Sequence, residues 1–344
     1  MANKLAVIVL VVVLLLLAST AGGYFYMSSV FGQAIQVKRE QIVEVKKGET
    51  LNQICARLQS KQYISNCVVV KLYSKLFDTY TDIKAGSYET TPGQTLSELL
   101  LNLVDGNVKQ YSFTIVEGEN VFQVLDKLAS APRLKNDLKD LNMKQVASAL
   151  GLTQESAEGW LSPETYLYPA SSLASDLLKR AVKVQQGLLQ SQWQKRAKNL
   201  PLKSAYEALI LASIIEKESS VAAERNKVSS VFHNRLNKNM RLQTDPTVIY
   251  GVWHEYKGDI TRKHLRTKTP YNTYRINGLT PTPIANPSLA SINATLHPSK
   301  TDYLYFVASG NGDHIFSESL DAHNRAVRNY LRKQRINKLK DNNG

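Results

Sequence analysis

The first thirty residues carry the strongest pattern in the chain. Leu5 to Ala18 is apolar without interruption, and small residues followed by Tyr24, Phe25, Tyr26 and Met27 extend the uncharged stretch to 23 positions. A helix rising about 1.5 Å per residue crosses the hydrocarbon of a bilayer in roughly 20 residues, so a transmembrane helix is predicted over residues 1–27, its aromatic cluster at the far interface. Lys4 and the small residues Ser19, Thr20 and Ala21 are also compatible with a cleaved signal, although the long aromatic extension argues for an anchor. The tail before the span is too short to hold a domain, which places the globular part on the translocated side.

Residues 28–40 read as a tether. Beyond them, 41–45 alternates as a strand does, 46–48 is a turn, and 49–58 and 65–76 carry apolar residues at helical spacing. Residues 83–88 read as a strand, and 96–104 as a helix after the Thr91-Pro92-Gly93 break. The character changes at Gln110. A strand is predicted over 112–116, a turn over 117–120, and helices over 121–128, 138–150, 173–198 and 204–219. The segment 158–166, with Trp160 and Pro163, is a loop too apolar for a solvent linker. Past Leu242, Pro246, Pro270, Pro281, Pro283, Pro287 and Pro298 interrupt every regular pattern, leaving loops, a strand over 303–308 and a closing helix over 319–339. The expected class is α+β: an anchor over 1–27, the tether, a small β-α-α-β subdomain over 41–108, and a larger mixed domain over 109–344. The order of elements in the small subdomain resembles a LysM domain, a glycan-binding module.

Composition adds two points. With 43% hydrophobic and 8% aromatic residues the chain is globular, and its net charge of +14 favours anionic partners such as lipid head groups, cell-wall carboxylates or nucleic acid. Nucleic acid is not expected, because no helix-turn-helix, zinc-finger or aromatic RNA-binding signature accompanies the charge and a membrane span removes the chain from the cytosol. Cys55 and Cys67 are equally compatible with a disulfide and with two buried thiols. None of the six histidines has metal-ligand spacing and no glycine-rich phosphate loop is present, so neither a metal nor a cofactor is expected.

Candidate chemistry sits on the helix over 204–219. At about 100° per residue, Leu211, Ile214 and Ile215 share one face with Glu218, while Glu216 points elsewhere. A carboxyl group among aliphatic side chains is poorly solvated when charged, so its pKa rises, as a general acid for an ether-like leaving group requires. An ion pair beyond the helix end is the structural alternative. No second carboxylate stands out as the usual glycosidase partner.

Ordered motifs then narrow the reading. Ala212 to Ser219, Glu224-Arg225, Val231 to Leu236, Met240 to Gly251, Tyr271-Asn272-Thr273-Tyr274, Pro283-Ile284-Ala285, His297-Pro298 and Tyr303 to Val307 together resemble the MltG/YceG-like endolytic murein transglycosylases, a likeness that runs along essentially the whole chain. The resemblance implies that the second Glu of Glu216-Lys217-Glu218 is catalytic. It also implies that the 6-hydroxyl of the cleaved N-acetylmuramic acid is the nucleophile, which accounts for the missing second carboxylate. Gln243, Thr244, Asp245, Asn272 and Ser219 are candidate sugar-binding groups. Tyr250, Tyr271 and Tyr274 are candidate stacking surfaces, and Glu158 and Glu164 candidate cleft acids; turn capping and core packing are the structural alternatives. Ser162 and Glu164 stand where the family often has an aromatic residue and Asp. The expected protein is thus a single-pass enzyme of the cell inner membrane acting on peptidoglycan strands, with peptidoglycan synthases as expected partners. Its rivals are a non-catalytic peptidoglycan-binding scaffold and a hydrolytic muramidase.

Overall fold

The computed structural model describes residues 2–218 and 221–341. The chain divides into two compact units: residues 1–111 with 167–171, and residues 112–166 with 172–344.

The first unit begins with α1 (Ala2–Gly32), whose side chains from Leu5 to Tyr26 are exposed and which is long and apolar enough to cross a membrane. At about 1.5 Å per residue its length exceeds the roughly 30 Å of a hydrocarbon core. The surplus enters the unit. Val30 and Phe31, with Ile35 and Val37 beyond the helix, are buried in one cluster with Val43, Val45, Ile54, Leu58, Val70 and Leu99. The tether expected over 28–40 is therefore corrected: these apolar positions have a core to enter, and residues 28–32 stay helical.

β1 (Gln41–Val45) pairs antiparallel with β2 (Gly86–Thr90), placing Val43 opposite Tyr88. Between them lie α2 (Leu51–Ser60) and α3 (Cys67–Phe77), and α4 (Leu96–Asp105) follows. Thr50 with Gln53, and Thr95 with Glu98, form reciprocal capping boxes that satisfy the first free amides of α2 and α4. Gly106 ends α4 in the left-handed region at φ 77°, where a Cβ would lie 2.6 Å from Lys84 Cδ. β2 starts later than the strand predicted from residue 83, because Lys84 N donates to Leu103 O and Tyr88 Oη donates to Lys84 O, engaging the earlier residues outside the ladder. Cys55 and Cys67 are joined in a disulfide that ties α2 to the start of α3.

The second unit contains α5 (Val121–Leu128), α6 (Met143–Ala149), α7 (Ala174–Gln194), α8 (Ala205–Glu218) and α9 (Arg225–Asn237). β3 (Gln110–Thr114) and β4 (Thr165–Pro169), whose residues are divided between the two units, pair as a two-stranded sheet. β4 was not anticipated in the apolar loop. Then come α10 (Asp245–Gly251), α11 (Arg262–Arg266), α12 (Leu289–Leu296), the antiparallel hairpin β5 (Tyr305–Ala308) and β6 (His314–Ser317), and α13 (Leu320–Asp341). The region past Leu242 holds more structure than its prolines imply, because Pro246 stands in the first turn of α10, where its missing N–H costs nothing.

α8 is the axis of this unit. Every residue from Ala208 to Ile215 is buried, and the helix packs against α7, α9, α10 and α12. Ser213 Oγ donates to Ile210 O and accepts from Ile284 N at 3.0 Å, seating the Pro283-Ile284-Ala285 loop on the helix.

The Cys55–Cys67 bridge closes a loop of sequence separation 12. Replacing both cysteines by alanine is expected to lower the stability of the first unit by roughly 3 kcal/mol on the loop-entropy account, read as an earlier denaturant midpoint.

Candidate active site

Glu218 is the last residue of α8, and eight consecutive buried residues behind it fix where its side chain emerges. It opens into a cavity of about 450 Å³ that is also lined by Arg235, Gln243, Thr244, Asp245 and Tyr274, with Tyr305, His323 and Asn324 opposite. Burial raises the pKa of the Glu218 carboxyl, and the charge of Asp245 adds to the rise. A hydrogen bond from Thr244 Oγ1, together with the charges of His314 and Arg235, opposes it without cancelling it. Neighbouring Glu216 has a different fate: its Oε2 accepts from Ser288 N at 2.9 Å and Ser288 Oγ at 2.6 Å, anchoring the start of α12. Thus two carboxylates two positions apart serve separate ends, one structural and one facing open space.

The segment that supplies Thr244 is held by its backbone. Gln243 adopts φ 48°, and its N–H donates to Thr273 O at 3.3 Å. Thr244 N donates to Thr273 Oγ1 at 3.0 Å, and Thr247 Oγ1 lies 2.8 Å from the same hydroxyl. This buried threonine triad aims Thr244 at Glu218. Tyr274 Oη donates to Asp245 Oδ1 at 2.8 Å, which orients a second carboxylate in the cavity. Arg235 forms the base: its Nε donates to Leu304 O at 2.6 Å and Nη1 to Leu242 O at 2.8 Å, with its guanidinium carbon 5.2 Å from the Tyr305 ring centre.

The structure therefore brings Gln243, Thr244, Asp245 and Tyr274 to Glu218 and leaves the other expected residues elsewhere. Tyr250 and Tyr271 pack on each other with ring centres 4.8 Å apart, Tyr250 Oη donating to Glu158 and Tyr271 Oη lying 3.0 Å from Thr282 Oγ1. Both are half-buried, and neither lines the Glu218 cavity where a sugar platform was expected. Asn272 is buried, with Nδ2 donating to the carbonyls of His264, Leu265 and Thr267 and Oδ1 accepting from Tyr274 N; it organises a loop and has no spare group for a ligand. Glu158, expected as a cleft acid, is 0% exposed and accepts from Val121 N at the start of α5. The adjoining Gly159, at φ 78°, permits the close approach of the Pro283 loop, since a Cβ there would stand 2.5 Å from Pro283 Cβ. Glu164 is exposed and does not line the cavity. Ser219 lies outside the described residues.

Arg235, Tyr305 and His323 were not among the expected site residues. Arg235 and Tyr305 fall inside quoted motifs, so a signal existed. His323 had none: it sits on α13, a helix remote in sequence, and reaches the cavity only through tertiary packing. Its ring stacks on Tyr305 at 5.2 Å, and burial, with the charge of Arg235, lowers its pKa and favours the neutral form.

A family model described as the YceG-like family matches residues 43–329. The chain belongs to this family. It is 32% identical over 311 residues to the endolytic murein transglycosylase of Bacillus subtilis strain 168, covering 84% of each chain. It is 26% identical over 331 residues to the endolytic murein transglycosylase of Streptococcus pneumoniae strain D39, covering 86% of this chain and 59% of that longer one. Among solved structures, a YceG-like protein from Listeria monocytogenes matches with a TM-score of 0.54 at 30% identity, over 84% of this chain and 99% of the other.

The environment of Glu158 makes stability depend on pH. Burial raises its pKa from 4.5 to about 8, against the opposing hydrogen bonds from Val121 N and Tyr250. A carboxyl whose folded pKa lies above its unfolded one contributes fully below the unfolded value, and that contribution is lost as pH rises through the folded value. The YceG-like chain is therefore expected to lose stability between about pH 4.5 and 8, by an amount on the order of 5 kcal/mol. Glu158→Gln, which keeps an acceptor for Val121 N, should flatten that slope in chemical denaturation across the same range.

Proposed function

We propose that this chain is an endolytic murein transglycosylase that cuts peptidoglycan glycan strands, with Glu218 as its acid and base. The observation that carries the proposal is a carboxyl group whose proton affinity burial raises, at the wall of an open cavity, with a threonine hydroxyl trained on it. The names of the relatives from Bacillus subtilis and Streptococcus pneumoniae support the substrate class.

In the proposed reaction Glu218 gives its proton to the bridging oxygen as the bond from C1 of N-acetylmuramic acid to that oxygen breaks. The 6-hydroxyl of the same sugar forms the new bond to C1 and returns its proton to Glu218. A 1,6-anhydro end results, no water is consumed, and the enzyme regains its starting state. Because the nucleophile is part of the substrate, its proximity replaces an enzymic one. Thr244 stabilises the carboxylate present between the two transfers, and Asp245 and Tyr274 are positioned as partners for sugar hydroxyls or the N-acetyl group. Asp245 in the same cavity is also the one observation favouring a hydrolytic muramidase, in which it would activate water.

In this reading α1 anchors the chain in the cell inner membrane with both units on the extracytoplasmic side, the β-α-α-β arrangement of the first unit acts as a LysM-like glycan-binding module, and strands near the membrane are the substrate. Cutting them there would end strand elongation and would bring peptidoglycan synthases into the neighbourhood as partners.

Digestion of purified sacculi, followed by mass spectrometry of the sugar termini, should show anhydro ends; reducing ends carrying oxygen from labelled water would instead establish hydrolysis, and no release would establish a scaffold. Glu218→Gln is expected to abolish release. Thr244→Val removes a donor that favours the ionised form, so the alkaline limb of the pH–rate profile should move to higher pH. The maximal rate should fall by about tenfold or more, as expected for a hydrogen bond to a charged group.

A further inference from the structure

The first unit exposes an apolar stripe that its own core does not use. Val68, Leu72 and Leu76 follow one another at four-residue spacing on α3 and are 70%, 52% and 62% exposed. At about 100° per residue they occupy an arc of about 80°, bordered on one edge by exposed Lys71 and Lys75. The other face of the helix carries Cys67, Val70 and Ser74 into the core. Three large aliphatic side chains aligned on one short helix form a contiguous patch, unlike apolar residues scattered singly over a surface.

The position of α3 identifies what covers the patch. Its N-cap Asn66 donates from Nδ2 to Tyr26 Oη at 3.3 Å, and Tyr73 lies 4.7 Å from Phe31, ring centre to ring centre. Tyr73 and Tyr80 share a cavity wall with Tyr24, Met27 and Phe31 of α1. So α3 packs beside α1 at the level of Tyr24 to Phe31. Counting roughly 20 residues of hydrocarbon from Leu5 brings the interface to that same level. α3 therefore lies beside the end of α1 that would leave the hydrocarbon, with its apolar stripe exposed. Aliphatic residues beside lysines on one helix face match the composition of a helix lying in the head-group region, where the ammonium groups reach anionic lipid.

We propose that α3 docks on the lipid bilayer, with Val68, Leu72 and Leu76 seated at the boundary between head groups and acyl chains. The proposal rests on the reading of α1 as a membrane span and goes beyond it: the chain meets the membrane twice, once through it and once upon it. A second contact would set the orientation of the first unit, which a single helix leaves free to turn.

The test uses the full chain reconstituted in phosphatidylethanolamine and phosphatidylglycerol vesicles. Nitroxide labels are placed one at a time through Leu72→Cys, Leu76→Cys, Phe25→Cys and Lys139→Cys, with the native cysteines paired with each other. Power-saturation spectroscopy compares collisions with oxygen, which concentrates in lipid, against collisions with a water-soluble nickel chelate. Labels at 72 and 76 are expected to favour oxygen several-fold, as the label at 25 does, while the label at 139 favours the chelate. A lipid-like signal at 25 with water-like signals at 72 and 76 would overturn the proposal and leave the anchor standing. Labels at 72 and 76 shielded from both reagents would overturn it in favour of a protein partner or a second copy. A water-like signal at 25 would defeat the anchor reading and the proposal together.

Discussion

The site depends on the burial of α8. A helix with eight consecutive buried residues cannot slide or turn without breaking the packing of its neighbours, because protein interiors are close-packed and resist such movement. Glu218 inherits that rigidity. The same packing that fixes it also strips water from one side of the carboxyl, so position and proton affinity have one cause. Thr244 then moderates the shift from the cavity side, held by the hydroxyls of Thr247 and Thr273. In the proposed reaction, a group that releases a proton and then recovers it is served by this balance between desolvation and one directed hydrogen bond.

The separation of Glu216 from Glu218 was readable from helical periodicity, because two positions on a helix turn a side chain by more than half a revolution and only one of the pair falls on the apolar stripe. α5 was readable for a similar reason: Asn120 and Gln123 give it a defined start. Gln243, Thr244 and Asp245 were legible only through the family motif, since nothing in their local pattern says which side of a turn they will face. Tyr250, Tyr271 and Asn272 show the limit of that route. They belong to the same motifs, yet their polar atoms are spent on Glu158, Thr282 and backbone carbonyls, so a motif marks a neighbourhood without sorting framework from surface.

Other features were hidden from the sequence by distance along the chain. His323 meets Tyr305 and Arg235 only after the β5–β6 hairpin has brought α13 back over the cavity, and no window of residues contains that event. The helices α10 and α12 are masked in the sequence by Pro246 and Pro287, which stand at or just before their starts. Residues 28–40 were misread because a short run of mixed polarity resembles a linker unless the cluster that receives Val30, Phe31, Ile35 and Val37 is already known.

The last point changes how the molecule would respond to its support. Since α1 runs without a break into the cluster around Val30 and Phe31, there is no swivel between stalk and head: a tilt of the stalk becomes a tilt of the head, and a rotation about its axis is passed on undiminished. An insertion of flexible residues after Met27 would therefore add more than length, for it would uncouple two bodies that now move as one lever.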